Sequence, residues 1–185
     1  MAGMLRVPRS RGALSGLLLV LLGLWGGLIA FVGPYFHFSY TPGVAWTYTT
    51  GRLWLEILPG VGTLLGGLIL LVSRVRPVAM FGAWLAAASG AWFAVGRSLS
   101  PLWTSSGAMT VGSPIGSSTL IRVLEEVSYF TGLGVVIVFI AAASIGRLSI
   151  IGARDVALAE REFAGPDSEA PAGEVTEPVL PRRTV

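Results

Sequence analysis

Two stretches carry the same ionisable pair: "RLWLE", with Arg52 and Glu56, and "RVLEE", with Arg122 and Glu126. Arg97 and Glu125 complete a set of three arginines and three glutamates, placed where apolar runs begin or end. Only 12% of the 185 residues are charged and 53% are hydrophobic, so the repetition asks for a reason. A carboxyl in such a place can act as general acid or base. An Arg/Glu set can also bind a polar headgroup or clamp helices together. Residues i and i+4 share a helix face, but arginine before glutamate is the weaker order for a local pair. A cross-pairing of Arg52 with Glu126 and Arg122 with Glu56 is therefore expected, with the units at one depth in one neutral network. Neutrality matters, because a charge at the bilayer centre costs about 2.5–3.5 kcal/mol or more.

Little else in the chain does chemistry. There is no cysteine, and His37 is the sole histidine. Metal sites need three or four ligands, so none is expected. Serines lack a His–Asp partner set, aspartate occurs only near the C-terminus, and there is no phosphate-binding loop motif. No cofactor and no catalytic residue is expected, and an enzymatic role would have to rest on Glu56, Glu125 or Glu126.

Mean hydropathy is +0.74, more apolar surface than a core of this size can hide, so lipid must be the solvent for most of it. The net charge of +3 comes from arginines flanking apolar runs and is no nucleic-acid signature. The fold class is all-α: a polytopic membrane protein with four transmembrane helices in two tandem hairpins. The spans are expected at about 13–33, 53–72, 77–96 and 120–145, within a domain of residues 13–146. A basic segment, 1–12, precedes it. A juxtamembrane segment, 147–164, and a disordered tail, 165–185, follow it.

Arg6, Arg9 and Arg11, then Arg74 and Arg76, then Arg147, Arg154 and Arg161 all fall on one side of a four-span chain. The arginine bias puts that side, and both termini, in the cytoplasm. The loop 34–51 then faces outward. Its Tyr35 and Trp46, with Trp54 and Trp103 nearby, are expected at the membrane interface, where amphipathic rings collect. The Gly/Ser-rich loop 97–119 is expected to be mobile. Small residues at four-residue spacing, Gly23/Gly27, Gly62/Gly66 and Gly82/Ala86/Gly90/Ala94, mark close helix packing.

The halves echo one another. "GLW" (23–25) matches "GAW" (82–84), "FVG" (31–33) matches "AVG" (94–96), and "RLWLE" matches "RVLEE". That predicts a parallel repeat about an axis along the membrane normal. "GRLWLEILPG", "GAWFAVGRSLSPLW" and "GRLSIIGARD" together resemble the small four-span membrane proteins of high-GC actinobacteria. "GAWFAVGRSLSPLW" is also similar to SPW-repeat membrane proteins, here with Leu102 between Pro101 and Trp103. The resemblance implies the four-span fold and brings no catalytic residue. Two functions follow. One is a non-enzymatic membrane subunit or scaffold, partnered by lipid and by a homo-oligomer or larger membrane complex. The other is an oligomeric module that binds or transports a small molecule, lipid or ion through the Arg/Glu cluster. No nucleic-acid partner is expected.

Overall fold

The computed structural model describes residues 10–102 and 111–149, all within one contact unit. Four helices account for most of them: α1 (Ser10–Val32), α2 (Thr50–Val72), α3 (Arg76–Leu99) and α4 (Thr119–Ser149). Each is long and apolar enough to cross a membrane. Thr49 and Ser118 start α2 and α4 as N-caps, their side chains accepting from the N–H groups of Arg52 and Ile121. Pro77 sits in the first turn of α3, where its missing donor costs nothing. A three-residue turn, 73–75, joins α2 to α3. The segments 37–49 and 111–118 lie at the other end of the domain, called here the loop end.

The helices pack in sequence, α1 on α2, α2 on α3 and α3 on α4, and α4 closes back on α1. Large apolar side chains point outward, among them Leu21, Leu28, Phe81, Trp84 and Phe139. Small residues line the interior, including Ala79, Ala83 and Ala86 of α3. This arrangement suits helices whose outer faces meet lipid, because association then relies on close backbone contact. A Cβ added at Gly60 of α2 would stand 2.7 Å from the Gly27 nitrogen of α1. A Cβ at Gly134 of α4 would stand 2.5 Å from the Ala94 nitrogen of α3. The two hairpins thus pack through the same kind of knuckle.

Both even-numbered helices carry a π-helical segment near their start, Leu53–Ile57 in α2 and Val127–Thr131 in α4. Leu58 N–H reaches back to Leu53 O, and Gly132 N–H to Val127 O, each spanning five residues. The Trp54 carbonyl thereby loses its i+4 donor, and at i+5 stands Pro59, which has no N–H. The indole N–H of Trp92, from α3, donates to it at 2.8 Å. In the other half the Ser128 carbonyl loses Gly132 in the same way. The indole of Trp25, from α1, donates to it at 3.3 Å.

These pairs fix the internal repeat. The π segments, Trp54/Ser128 and Gly60/Gly134 all match at a shift of 74 residues (53 to 127), and Trp25/Trp92 and Gly27/Ala94 at 67 (25 to 92). Two parallel hairpins are therefore present, but in a different register from the Arg-x-x-x-Glu echo, which needs a shift of 70 (52 to 122). Arg52 is equivalent to Glu126, and Glu56 to Phe130. The two Arg-x-x-x-Glu units do not share a depth; they are offset by about one helical turn. The physical reason is that α4 runs eight residues, Thr119–Glu126, before its π segment, whereas α2 runs three, Thr50–Arg52.

Two observations differ from expectation at the loop end. Residues 111–116 are tied down: Tyr40 and Pro114 form an antiparallel bridge, with Thr41 N–H on Ser113 O at 2.9 Å and Ile115 N–H on Ser39 O at 3.1 Å. Residues 97–99 continue α3. Trp103, the segment 1–9 and everything after Ser149, including the expected juxtamembrane segment and tail, lie outside the described residues.

If the hairpins are equivalent, Gly60→Val and Gly134→Val destabilise by similar amounts, about 1–3 kcal/mol each, because the branched chain must displace backbone. A Cβ at Gly146 meets nothing within 4 Å, so Gly146→Val serves as the near-neutral control. Denaturation in mild detergent compares the three; a large cost at Gly60 alone would break the equivalence.

Candidate functional site

The first turns of α2 and α4, with Arg97 from the last turn of α3, bring most of the expected ionisable set together beneath the two loops. Glu125 is fully buried. One of its oxygens accepts Ser39 N–H at 3.1 Å, the other Gly116 N–H at 3.0 Å. One carboxylate thus holds one backbone donor from each loop. Both oxygens are thereby satisfied where no water reaches them.

Glu126, half-buried, pairs with Arg97. It also accepts the Tyr40 hydroxyl at 2.8 Å. Arg97 donates further to that hydroxyl at 3.2 Å and to Gly112 O at 3.2 Å. Its guanidinium lies 5.2 Å from the Tyr40 ring centroid and 5.5 Å from that of Phe130, within cation–π range. Burial, then the neighbouring Glu126 carboxylate, raises the Tyr40 phenol above its ordinary range, outweighing the opposing pull of Arg97. Tyr40 therefore stays a donor.

The expected cross-pairs do not form. Arg52, 3% exposed, donates to Thr47 O at 2.9 Å and closes its own loop onto α2. Arg122 is exposed, with its Nε on Gly116 O at 3.1 Å. The longer first segment of α4 carries Arg122 up to the rim, out of reach of Glu56. Arg97 takes the place on Glu126 that the sequence echo assigned to Arg52.

Glu56 is the exception. It is 1% exposed, and neither carboxylate oxygen has a hydrogen-bond partner. Its equivalent in the other hairpin, Phe130, is also 1% exposed, so Glu56 occupies a core position that the fold can fill with an aromatic ring. The charges of Arg52 and Arg97 act on it from a distance. Tyr129, whose hydroxyl donates to Phe38 O at 2.7 Å and to Ile29 O at 3.2 Å, lies within electrostatic range of Glu56.

Of the expected interface aromatics, Tyr35, Trp46 and Trp54 are exposed, and the Trp46 indole donates to the Tyr35 hydroxyl at 3.2 Å. Tyr40, in the loop expected at the interface, turns inward instead, its ring tilted against Tyr129 at 5.1 Å and edge-on to Phe130 at 5.4 Å between centroids. Tyr129 and the indoles of Trp25 and Trp92 lie outside the set of residues expected from the sequence. For Tyr129 the available signal was a tyrosine inside an apolar span, whose hydroxyl must find a partner there. Among the described residues no group of three His, Cys, Asp or Glu side chains could hold a metal ion. No protein-family model, curated protein or solved structure matches the chain significantly.

The pairing makes a demand on energetics. A double-mutant cycle of Arg97→Met and Glu126→Gln shows coupling on the order of 1 kcal/mol, moderated because both side chains are partly exposed. The cycle of Arg52→Met with Glu126→Gln is additive to within about 0.5 kcal/mol. Strong coupling in the second cycle would restore the cross-pair. Stability also falls as pH rises past about 10, because the unfolded phenol of residue 40 loses its proton there while the folded one keeps it. Tyr40→Phe removes the Tyr40 contribution to that alkaline loss.

Proposed function

We propose that the chain is a non-enzymatic integral membrane subunit, threaded four times through the cell membrane with both termini in the cytoplasm. The observation that carries this reading is the use made of the charges. Glu125 is consumed in joining the two loops, Glu126 and Arg97 in joining α4 to α3 and Tyr40, and Arg52 in closing its own loop. No nucleophile stands beside a base among these groups. A polar set mostly engaged in holding helix ends suits a scaffold in lipid or in a larger assembly.

Orientation rests on arginine placement. Arg76 donates to Leu148 O, and Arg147 is bonded to the hydroxyl of Ser15, so both lie at the end where α1 starts and α4 finishes. Clustered arginine on short segments marks the cytoplasmic side. The exposed Tyr35, Phe36, Trp46 and Tyr48 then face the outer headgroup layer.

A second reading, a module binding a small molecule, lipid or ion as an oligomer, is favoured by one observation only: the unpartnered carboxylate of Glu56. Gentle extraction into nanodiscs followed by native mass measurement tests the subunit reading. Copurifying chains or a homo-oligomer are expected, and a strictly monomeric particle without partners overturns it. Reporter fusions at residue 110 and at the C-terminus are expected to report opposite sides of the membrane, with the C-terminal reporter cytoplasmic.

A further inference from the structure

Glu56 is the buried ionisable group that the loop-end network does not use. Its neighbours in the chain show what a charged carboxylate needs here. Glu125 has two backbone donors, and Glu126 has a guanidinium and a phenol. Glu56 has none, although it is as deeply buried as Glu125. An ionised carboxylate left so would bear nearly its full desolvation cost, and the usual response of a protein is to neutralise the group.

The charge balance of the site agrees. Arg52 and Arg97 supply two positive charges, Glu125 and Glu126 two negative ones, and Arg122 stands exposed at the rim. The network is neutral when Glu56 carries a proton and bears an excess negative charge when it does not. Residues 12–32 of α1 contain no ionisable side chain. The charged and titratable groups acting on Glu56 are Arg52 on its own helix and Arg97 from α3; Tyr129 of α4 lies within electrostatic range of it, and Glu125 of α4 acts on Tyr129. None of these sits within hydrogen-bond distance of the Glu56 oxygens.

Packing does not explain the residue either. The repeat places Phe130 at the equivalent position, so the fold accepts an aromatic ring there, and the π segment of each half directs that position inward. Single π turns inside α-helices are frequent at functional sites. Here the turn of α2 holds a carboxyl where the turn of α4 holds an aromatic ring.

We propose that Glu56 is a proton-binding site inside the four-helix domain, neutral at rest. Its proton exchanges with water at the loop end, less than two turns away along α2. In the step one carboxylate oxygen takes a proton from hydronium at the loop end: the carboxyl O–H bond forms as a hydronium O–H bond breaks, a water molecule is released, and the excess negative charge of the network is neutralised. Glu125 and Glu126 do not share this role, since hydrogen-bond donors already engage their carboxylate oxygens. The proposal does not depend on the subunit reading.

Infrared spectroscopy of the full chain in lipid nanodiscs at neutral pH tests it without needing a partner or an activity. The expected result is a carboxylic-acid carbonyl band in the wild-type protein, lost in Glu56→Gln. In Glu56→Asp, which keeps the acid on a shorter arm, the band should shift and not vanish. Glu56→Gln mimics the neutral acid, so it should melt close to the wild type. Absence of a protonated-carboxyl band in the wild type overturns the proposal. So does a band that persists unchanged in whichever of the two variants folds.

Discussion

Inside a bilayer every backbone N–H and C=O must find its partner within the protein, since no water is there to supply one. The two π turns strain that rule, because each releases a carbonyl from its helical ladder. In α2 the release is complete: Leu58 N–H is engaged one residue further back, and Pro59 has nothing to donate. Trp92 answers from α3, and Trp25 answers the equivalent carbonyl from α1. Each tryptophan thus reaches from one hairpin into the other. The two indoles fix the rotation and depth of the hairpins relative to each other, and the glycine knuckles bring the helices within each hairpin together.

That register decides what the charged residues can do. It puts Glu125 beneath the meeting point of the two loops, where one carboxylate takes a backbone donor from each. It puts Arg97 against Glu126 and the Tyr40 hydroxyl, so α3, α4 and the first loop share one hydrogen-bonded knot. The short antiparallel bridge between Tyr40 and Pro114 follows from the same anchoring. A Gly/Ser-rich segment becomes ordered because a buried carboxylate claims the backbone N–H of Gly116. Its composition alone gives no sign of that.

Much of this was legible in the sequence, and the remainder was hidden for identifiable reasons. Hydropathy marks four spans, because about 20 apolar residues have no other stable use. Small residues at four-residue spacing mark the seams, and Gly82 and Ala86 indeed pack against Gly66. The repeat was visible, but its register was misread by one turn. Arg-x-x-x-Glu is a conspicuous string, whereas a π turn has no string and shifts everything beyond it by one residue. The depth of Arg52 and Arg122 was therefore assigned by spelling, when the tryptophan–carbonyl pairs are what fix it. The partners of Glu125 were out of reach because they are backbone atoms of residues 86 and 9 positions away. No side-chain pattern encodes a backbone donor.

A repeat built on shared constraints should differ only where a constraint is absent or a use intervenes. The knuckles, the π turns and the indole bridges are common to both hairpins, so they belong to folding. Arg97 has no counterpart in the first hairpin, where Ala30 occupies the position 67 residues before it (97 to 30), and the same is true of the loop lengths. These differences follow from the longer start of α4, which needs an ion pair to seat its extra turn. Glu56 opposite Phe130 has no such explanation. Nothing packs better for it, nothing bonds to it, and an apolar residue is tolerated at its equivalent. A polar group that the fold neither needs nor satisfies is where selection for a purpose other than stability becomes visible.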